Sequence, residues 1–292
     1  MIQKFELRYP QIAEQMFRDY QSGECFTIAE LIKKYNLNYT IIYRMFKDNN
    51  IQRRTRQETQ NYKPVRLLKS KVNRKYYFNE NVFDIINTPE KAYWLGFLMA
   101  DGYIVGNVLG LDLAIRDKKH LEKYKNFWET NKLIRPYENK KKHKVRLVIS
   151  SPYVVDKIMQ YGIVPKKTFK TFFPSIPSQF YVDFIRGVFD GDGTNQKKKV
   201  KHFRFQIVAT RRLAISIQNI LIENCWVKKV KLQTEKRVLK RHPNLKLEDQ
   251  IVTLTYRGNR QAKRIFDFLY PPNCICLDRK RIQYETHFER LL

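Results

Sequence analysis

The chain lacks any apolar run long enough to cross a membrane, and its first ten residues do not form a secretory signal. It has only four cysteines among 292 residues, and they form neither a zinc-ligand spacing nor a disulfide framework. We therefore expect reduced thiols in an intracellular protein that has no membrane partner. The four are Cys25, Cys225, Cys274 and Cys276.

Acidic residues are also scarce. Only 28 stand against 57 lysines and arginines, which gives a formal net charge of +29. A field of this strength favours a polyanionic partner such as nucleic acid, although a ribosomal role or an anionic membrane surface would also suit the charge. Hydrophobic residues make up 43% of the chain and aromatic residues 14%. This composition supports packed cores rather than disorder.

Two stretches, 94–102 (WLGFLMADG) and 185–193 (IRGVFDGDG), share one pattern. Each is an apolar helical run with a glycine, a small residue four positions later and a final Asp-Gly. The offset is 91 residues between Gly96 and Gly187, and also between Asp101 and Asp192. A stripe of small residues lets two helices approach closer than the usual ~8–10 Å. We therefore predict two helices packed backbone to backbone, with the aspartates side by side at one end.

The aspartates at these helix ends indicate a metal site. Two adjacent carboxylates repel each other, and each faces the negative end of a helix dipole. A shared divalent cation removes both problems and provides a hydrolytic centre. Asp-Gly is also a common helix ending, because a glycine suits the left-handed residue that closes a helix, as we predict for Gly102 and Gly193. Two copies in one register in a very basic chain nevertheless favour the metal.

Both stretches resemble the nine-residue motif that names the LAGLIDADG homing endonucleases, and the resemblance covers residues 88–290. The eighth position, which binds metal in that family, is Asp101 in one copy and Asp192 in the other. The sixth position is acidic only in the second copy, and the family does not require it for catalysis. The resemblance implies an α+β fold of two pseudo-symmetric αββαββα repeats, whose saddle-shaped antiparallel sheets bind DNA.

Residues 1–51 are predicted to form a small all-α domain. Apolar spacing predicts a helix over 11–20, a second helix after Thr27, which has a capping-box spacing to Glu30, and a third over 38–47. This pattern looks like a helix-turn-helix, although an ordinary helical hairpin would show it too. The basic residues that follow favour DNA binding. The residues expected to contact DNA from this domain are Tyr39, Thr40, Tyr43, Arg44, Lys47, Arg53 and Arg54.

The remaining chain is predicted to contain a basic linker over 52–87, a first repeat over 88–177 and a second over 178–292. The linker would either follow DNA phosphates or be solvated. Thr88, followed by a proline, predicts the start of the first motif helix, and Ser178 is expected to cap the second. Each repeat should contain a helix, two strands, a helix, two strands and a helix. One second-repeat strand is expected over 230–237, and a final helix over 279–292 is an addition.

The predicted strands have one apolar and one basic face. In 144–150, for example, lysine and arginine alternate with apolar residues. An antiparallel sheet packs its apolar face on helices and leaves the other exposed, where basic side chains can reach phosphates and base edges. For any single strand, the basic face could instead be a surface that contacts only water. The residues expected on the DNA-binding face are Lys144, Arg146, His202, Arg204, Gln206, Arg237 and Arg257.

The resemblance also implies the catalytic residues. The family places a lysine near each metal, and the segments 162–168 (GIVPKKT) and 277–281 (LDRKR) match the segments that carry it. Lys167 is preferred over Lys166 in the first segment. Gln206 stands where the family often has a water-positioning glutamine, with Asp112 as its expected counterpart. The implied catalytic set is Asp101, Asp192, Lys167, Lys280 and Gln206, and the metal ligands, for Mg²⁺ or another divalent cation, are Asp101, Asp192 and the carbonyls of Ala100 and Gly191.

These features predict a homing endonuclease that makes a metal-dependent break in a long, asymmetric double-stranded DNA site. We expect a monomer with pseudo-twofold symmetry, no obligatory protein partner, and a location with the DNA, in an organelle if encoded there. An intron-encoded or free-standing gene fits better than an intein. The alternative is a cleavage-inactive binding protein on the same fold, either an intron maturase or a DNA-binding regulator. The acidic pair favours the enzyme.

Overall fold

The structure is a computed structural model that describes residues 10–21, 28–54, 75–139, 142–194 and 203–290. The chain divides into two compact units, Met1–Arg74 and Lys75–Leu292. Three predicted features, the capping residue Thr27, His202 and most of the basic linker, lie outside the described residues. Within the described ranges, no helix is both long and apolar enough to cross a membrane.

The N-terminal unit contains three helices, α1 (Pro10–Gln21), α2 (Ile28–Tyr35) and α3 (Tyr39–Asp48), which confirms the three predicted helices. Asn38 begins α3, since its side-chain oxygen accepts a hydrogen bond of 2.9 Å from the Ile41 N–H. Asn36 takes up a left-handed conformation in the turn, with φ of 50°, which asparagine tolerates better than most residues. The helices enclose a small apolar core built mainly from Met16, Leu31, Ile42, Met45 and Phe46.

The larger unit repeats one order of elements, as predicted. The first repeat comprises α4 (Pro89–Asp101), β1 (Gly102–Val105), β2 (Val108–Ala114), α5 (Lys118–Phe127), β3 (Arg135–Asn139), β4 (Lys142–Ser150) and α6 (Pro152–Gln160). The second comprises α7 (Tyr181–Asp192), β5 (Gly193–Thr194), β6 (Arg204–Thr210), α8 (Arg211–Cys225), β7 (Gln233–Thr234), an inserted α9 (Lys236–Arg241), β8 (Ile251–Arg257) and α10 (Asn259–Leu269), and α11 (Asp278–Glu289) follows.

Each repeat builds one four-stranded antiparallel sheet, with strand orders β1-β2-β4-β3 and β5-β6-β8-β7. The α+β fold of two αββαββα repeats is therefore confirmed. In β2, Leu109, Leu111 and Leu113 are buried, while Val108, Asp112 and Ala114 are half-exposed. The alternation places one face of the sheet against the helices, in a core that runs through both repeats.

Three local predictions were wrong. The strand expected over 230–237 is only two residues long, Gln233–Thr234, and the chain then enters α9. Ser178 does not cap the second motif helix, because it begins a short 3-10 turn and α7 starts later, at Tyr181. The linker was predicted to extend too far, since Phe78, Val82 and other apolar residues before α4 are buried in the core. By contrast, Thr88 caps α4 as predicted, accepting a hydrogen bond of 3.2 Å from the Lys91 N–H.

The two motif helices, α4 and α7, pack backbone to backbone along the predicted glycine stripe. A Cβ on Gly96 would lie 2.0 Å from the Phe184 carbonyl oxygen, and a Cβ on Gly187 would lie 2.0 Å from that of Tyr93. Neither separation is sterically possible, so only glycine permits this approach. The close packing of the helices is therefore confirmed.

The predicted left-handed conformation of the glycines that follow the motif helices is wrong. Gly102 and Gly193 have φ of −67° and −75° and continue as extended backbone into the first strand of each sheet. Steric crowding, and not backbone conformation, explains why glycine stands at both positions. A Cβ would lie 2.7 Å from the Leu98 carbonyl oxygen in the first case and 2.3 Å from that of Phe189 in the second.

Candidate active site and nucleic-acid interface

The paired helices bring Asp101 and Asp192 together at their C-terminal ends. A Cβ on Gly191 would lie 2.4 Å from the Ala100 Cβ and 3.6 Å from Asp101 Oδ2, so the two helix ends touch where the aspartates stand. Both residues keep access to solvent. Partial burial raises the pKa of the Asp101 carboxyl, and burial together with the charge of Asp101 raises the pKa of Asp192 to about 6. The two carboxylates are therefore neighbours whose ionisation is coupled.

Lys167 lies beside this pair. Its ammonium donates a hydrogen bond of 2.7 Å to the Ala100 carbonyl oxygen. Burial lowers the pKa of Lys167, against the opposing attraction of the Asp192 and Asp101 carboxylates. Lys166, in contrast, is exposed and left-handed, with φ of 54°. The contact also places a positive charge on the Ala100 oxygen that was expected to ligate metal, which disfavours a metal ion at that atom.

Lys280, the second expected lysine, is only 3% exposed. Its ammonium donates to the Phe189 carbonyl oxygen and, at 2.6 Å, to that of Gly193. Burial lowers the pKa of Lys280 to about 8, although the charge of Asp190 opposes the shift. The ammonium thus caps the C-terminal end of α7, where the helix dipole favours a cation.

Gln206 lies half-buried on the outer face of its sheet. Its partner on the neighbouring strand is Thr194, which follows Asp192 by two residues. The expected counterpart, Asp112, was wrong. Ile207 pairs with Gly193 as Leu111 pairs with Gly102, so Gly110 is the counterpart of Gln206. A Cβ at Gly110 would lie 2.2 Å from Cζ of Tyr103, whose ring therefore occupies that position in the first repeat.

Basic residues lie on the outer faces of both sheets. Arg204 and Arg257 are direct cross-strand partners in the second sheet, in the row that continues with Gln206 and Thr255. Like charges directly opposite each other are destabilising unless an anion compensates them. Lys144 and Arg146 lie on the corresponding face of the first sheet, paired with Ala114 and Asp112. The strand faces were thus predicted in the right orientation.

Arg146 is already paired within that face. Its Nε and Nη2 each donate a hydrogen bond of 2.7 Å to the Asp112 carboxylate, and its guanidinium lies 3.8 Å from the ring centroid of Tyr137. Tyr103 donates a further hydrogen bond of 3.1 Å to Asp112. This bidentate pairing raises the pKa of Arg146 further above its already high value. The outer face of the first sheet therefore carries a charge-neutral cluster, whereas that of the second carries two opposed arginines at a different position along the strands.

In the N-terminal unit, the five predicted contact residues of α3 are all exposed: Tyr39, Thr40, Tyr43, Arg44 and Lys47. The guanidinium of Arg53 lies 4.3 Å from the Tyr43 ring centroid and donates a hydrogen bond of 3.2 Å to the Tyr39 hydroxyl. Arg54 points inward instead, because its guanidinium donates to the Tyr20 carbonyl oxygen and lies over the Tyr20 ring. Arg54 thus holds the segment after α3 against α1.

Two other predicted contacts differ in position. Arg237 is exposed, but it lies on α9 rather than on a strand, so it does not share the sheet face with Arg204. His202 lies outside the described residues.

Sequence reasoning missed a buried polar network around Asp190, which is 1% exposed. Its carboxylate accepts hydrogen bonds from the hydroxyls of Tyr93 and Tyr270, at 2.8 and 2.6 Å, and from the Leu277 N–H at 2.7 Å. The Tyr93 oxygen is also 2.9 Å from His120 Nε2. Burial raises the pKa of Asp190 and lowers that of His120 to about 3. The available signal in the sequence was the position of Asp190 inside an apolar helical run, where a carboxylate needs buried hydrogen-bond donors.

Arg186 is a second buried charge on the same helix. It is fully buried, pairs with Asp183, and donates hydrogen bonds of 2.8 Å to the carbonyl oxygens of Ile275 and Leu269. The two carbonyl contacts tie α7 to the end of the second repeat, the pair with Asp183 lies within α7, and the guanidinium also lies 5.6 Å from the ring centroid of Tyr93 on α4. Arg186 is therefore structural and does not face the aspartate pair.

Solved structures similar to this chain include the I-LtrWI LAGLIDADG homing endonuclease bound to target DNA, at 13% identity and a TM-score of 0.44, with 73% of this chain and 90% of that chain covered. Another is I-SmaMI bound to an uncleaved DNA target in the presence of calcium ions, at 14% identity and a TM-score of 0.44, covering 70% and 90%. A third is full-length DUF199/WhiA from Thermatoga maritima, at 14% identity and a TM-score of 0.42, covering 73% and 65%. No protein-family model and no curated protein matches the chain.

Proposed function

We propose that this protein is a homing endonuclease that binds a long, asymmetric double-stranded DNA site as a monomer and hydrolyses both strands with Mg²⁺. The observation that supports this most strongly is the contact between the ends of α4 and α7, which makes neighbours of Asp101 and Asp192. Each carboxylate makes the other harder to ionise, and both lie at negative helix ends. A divalent cation reverses this penalty.

Mg²⁺ fits the oxygen donors of this pair. It usually keeps several of its waters and is held by one or two carboxylates together with substrate phosphates. Asp101 and Asp192 would hold it, and both keep the solvent access that waters and a phosphate need. When bound, the ion supplies charge neutralisation at the phosphate and an acidified water.

The surrounding side chains would complete the site. Lys167 Nζ lies close enough to both carboxylates to feel their charge, so it adds a fixed positive charge where negative charge develops on the phosphate. The Gln206 amide, on the outer face beside the strand that follows Asp192, would orient a water. Lys280 would hold the end of α7, because its buried ammonium is bonded to two backbone carbonyls, and its charge would also reach both carboxylates.

DNA would lie along the outer sheet faces. The opposed arginines Arg204 and Arg257 have the charge to bind phosphates, and the chain carries a net charge of +29. The exposed face of α3, with Tyr43, Arg44 and Lys47, would add contacts to bases in a major groove. These two surfaces together favour a long recognition site.

A cleavage-inactive binding protein, either an intron maturase or a DNA-binding regulator, is the second candidate. The observation that favours it is the burial of Lys280, whose ammonium lies near both carboxylates but is bonded to two backbone carbonyls. Such a protein would use the same basic faces and would bind DNA without breaking it.

The test uses DNA that spans the insertion site of the protein's own gene, incubated with Mg²⁺ or with EDTA. We expect a double-strand break with Mg²⁺ and intact, bound DNA with EDTA. Tight binding with no break under either condition would support the binding protein. Failure to bind this DNA more tightly than unrelated DNA would reject both candidates.

A further inference from the structure

The buried carboxylate of Asp190 has no part in the proposed chemistry, yet it connects three parts of the chain that meet at the active site. Its partner Tyr93 lies on α4, Tyr270 directly follows α10, and Leu277 lies just before α11. One side chain therefore ties the second motif helix to the first motif helix and to the segment that leads into Lys280. With three hydrogen bonds, the position of this carboxylate is fixed.

Lys280 extends this network around Asp192. It follows Leu277 by three residues, and its ammonium, attracted by the Asp190 carboxylate, bonds to the carbonyl oxygens of Phe189 and Gly193. These two carbonyls lie on either side of Asp192 in the sequence. The backbone that carries Asp192 is thus fixed both before and after the residue.

Within the described residues, the first repeat has no equivalent network. At the 91-residue offset, Met99 stands in place of Asp190, and Phe184 is the counterpart of Tyr93. Tyr161 directly follows α6 as Tyr270 follows α10, but its hydroxyl donates to the Asp84 carbonyl oxygen at 3.4 Å. Lys167 is half-buried and reaches the single carbonyl of Ala100. The backbone that carries Asp101 is therefore held by fewer lysine contacts than the backbone that carries Asp192.

We propose that Asp190 and Lys280 are positioning residues that hold Asp192 more rigidly than Asp101 is held, so that the two DNA strands are cut at unequal rates. This inference rests on the proposed endonuclease function. Small displacements of a catalytic group lower a rate strongly, so the strand whose cut depends on the better-held carboxylate is cut faster. Loosening the network slows that cut selectively.

The test compares Tyr270→Phe with the matched control Tyr161→Phe. Each variant loses one hydroxyl at an equivalent place in its repeat, and both keep the aromatic ring. The two strands of the DNA site carry different labels, and the rate of each cut is measured with Mg²⁺ and enzyme in excess. We expect unequal rates in the unmodified protein. Tyr270→Phe should slow the faster cut by about three- to tenfold, the range expected for one lost hydrogen bond, and Tyr161→Phe should change neither rate.

A second readout follows the metal site itself. Mn²⁺ binding to the protein–DNA complex, measured by electron paramagnetic resonance, should weaken in Tyr270→Phe and not in Tyr161→Phe, at equal melting temperatures. If Tyr270→Phe does not fold, Tyr93→Phe, which removes another donor to Asp190, replaces it. Equal slowing of both strands, or no effect of either substitution, overturns the inference while leaving the endonuclease intact. An unmodified protein that never cuts overturns the proposed function, and this inference with it.

Discussion

Gly187 lies against the backbone of the opposite motif helix at Tyr93, so closely that a Cβ would stand 2.0 Å from the Tyr93 carbonyl oxygen. This contact fixes the separation of α4 and α7, and with it the separation of the carboxylates at their ends. The repeated glycine is thus a geometric requirement of the candidate site, although it lies more than one helical turn from Asp192.

Gly187→Leu should therefore cost more activity than its distance from the aspartates suggests. The added side chain must push the helices apart, since close-packed backbone does not absorb it. A separation of about 1 Å at the carboxylates lowers the cleavage rate by roughly a hundredfold. The cleavage rate is measured after circular dichroism confirms folding. Gly106→Asn is the control, because that position is open and has φ of 55°, which asparagine tolerates. A folded Gly187→Leu protein with an unchanged rate would contradict this geometry.

Arg186→Leu, one residue away from Gly187, should destabilise the fold. Leucine would leave Asp183 as an unpaired buried charge and two carbonyls without donors. We expect a loss of about 3–5 kcal/mol in the free energy of unfolding, measured by urea denaturation. Arg260→Leu, at an exposed arginine on α10, should change it by less than about 0.5 kcal/mol. Equal effects would mean that the buried pair contributes nothing.

His120 should make the fold sensitive to acid. Burial lowers the pKa of His120 to about 3 in the folded protein, against 6.5 in the unfolded chain. As the pH falls below 6.5, only the unfolded chain gains the proton, so the contribution of neutral His120 is complete above this pH and is lost towards pH 3. Between pH 7.5 and pH 5 this loss amounts to ~2 kcal/mol.

The measurement is the free energy of unfolding of the unmodified protein and of His120→Phe at both pH values. The variant should lose ~2 kcal/mol less on acidification. Taking the difference cancels the carboxylates, including Asp190, whose raised pKa acts in the opposite direction. Parallel pH profiles for His120→Phe and the unmodified protein would show that His120 does not titrate differently on folding.

Asp112→Asn should raise affinity for DNA of any sequence. The substitution weakens the bidentate hold on Arg146 and frees its charge for a phosphate. One extra phosphate contact steepens the dependence of log affinity on log salt concentration by about 0.9. Fluorescence anisotropy on unrelated duplex DNA at several salt concentrations measures the slope. Asp156→Asn, on α6, makes the same change in net charge away from the sheet face. Identical slopes for both variants would show that net charge alone matters.

The sequence was sufficient for features that depend on a regular period. The glycine stripe predicted the contact of Gly96 and Gly187 with the opposite helix, and strand alternation predicted the exposed basic faces. Features that depend on partners far away in the chain could not be predicted from it. The donors to Asp190 lie 80 to 97 residues away in the chain, and Lys280 is buried by α7 rather than by its own helix.

The register of the two repeats also escaped sequence comparison, for a physical reason. In the first repeat a two-residue turn joins β1 to β2, whereas β5 and β6 are separated by residues 195–203. Counting residues from the motif therefore no longer aligns the two repeats beyond that connection. Only the pairing of Gly193 with Ile207 and of Gly102 with Leu111 identifies Gly110, and not Asp112, as the counterpart of Gln206.

The central claim is that Asp101 and Asp192 together support metal-dependent DNA cleavage. The most direct measurement is the rate of double-strand cleavage by Asp101→Asn and by Asp192→Asn with Mg²⁺, on the DNA site that the unmodified protein binds, alongside the affinity of each variant for that DNA. We predict that both variants bind with nearly unchanged affinity and that neither makes a double-strand break. Double-strand cleavage at the unmodified rate by either variant would contradict the account, because it would remove that carboxylate from the mechanism.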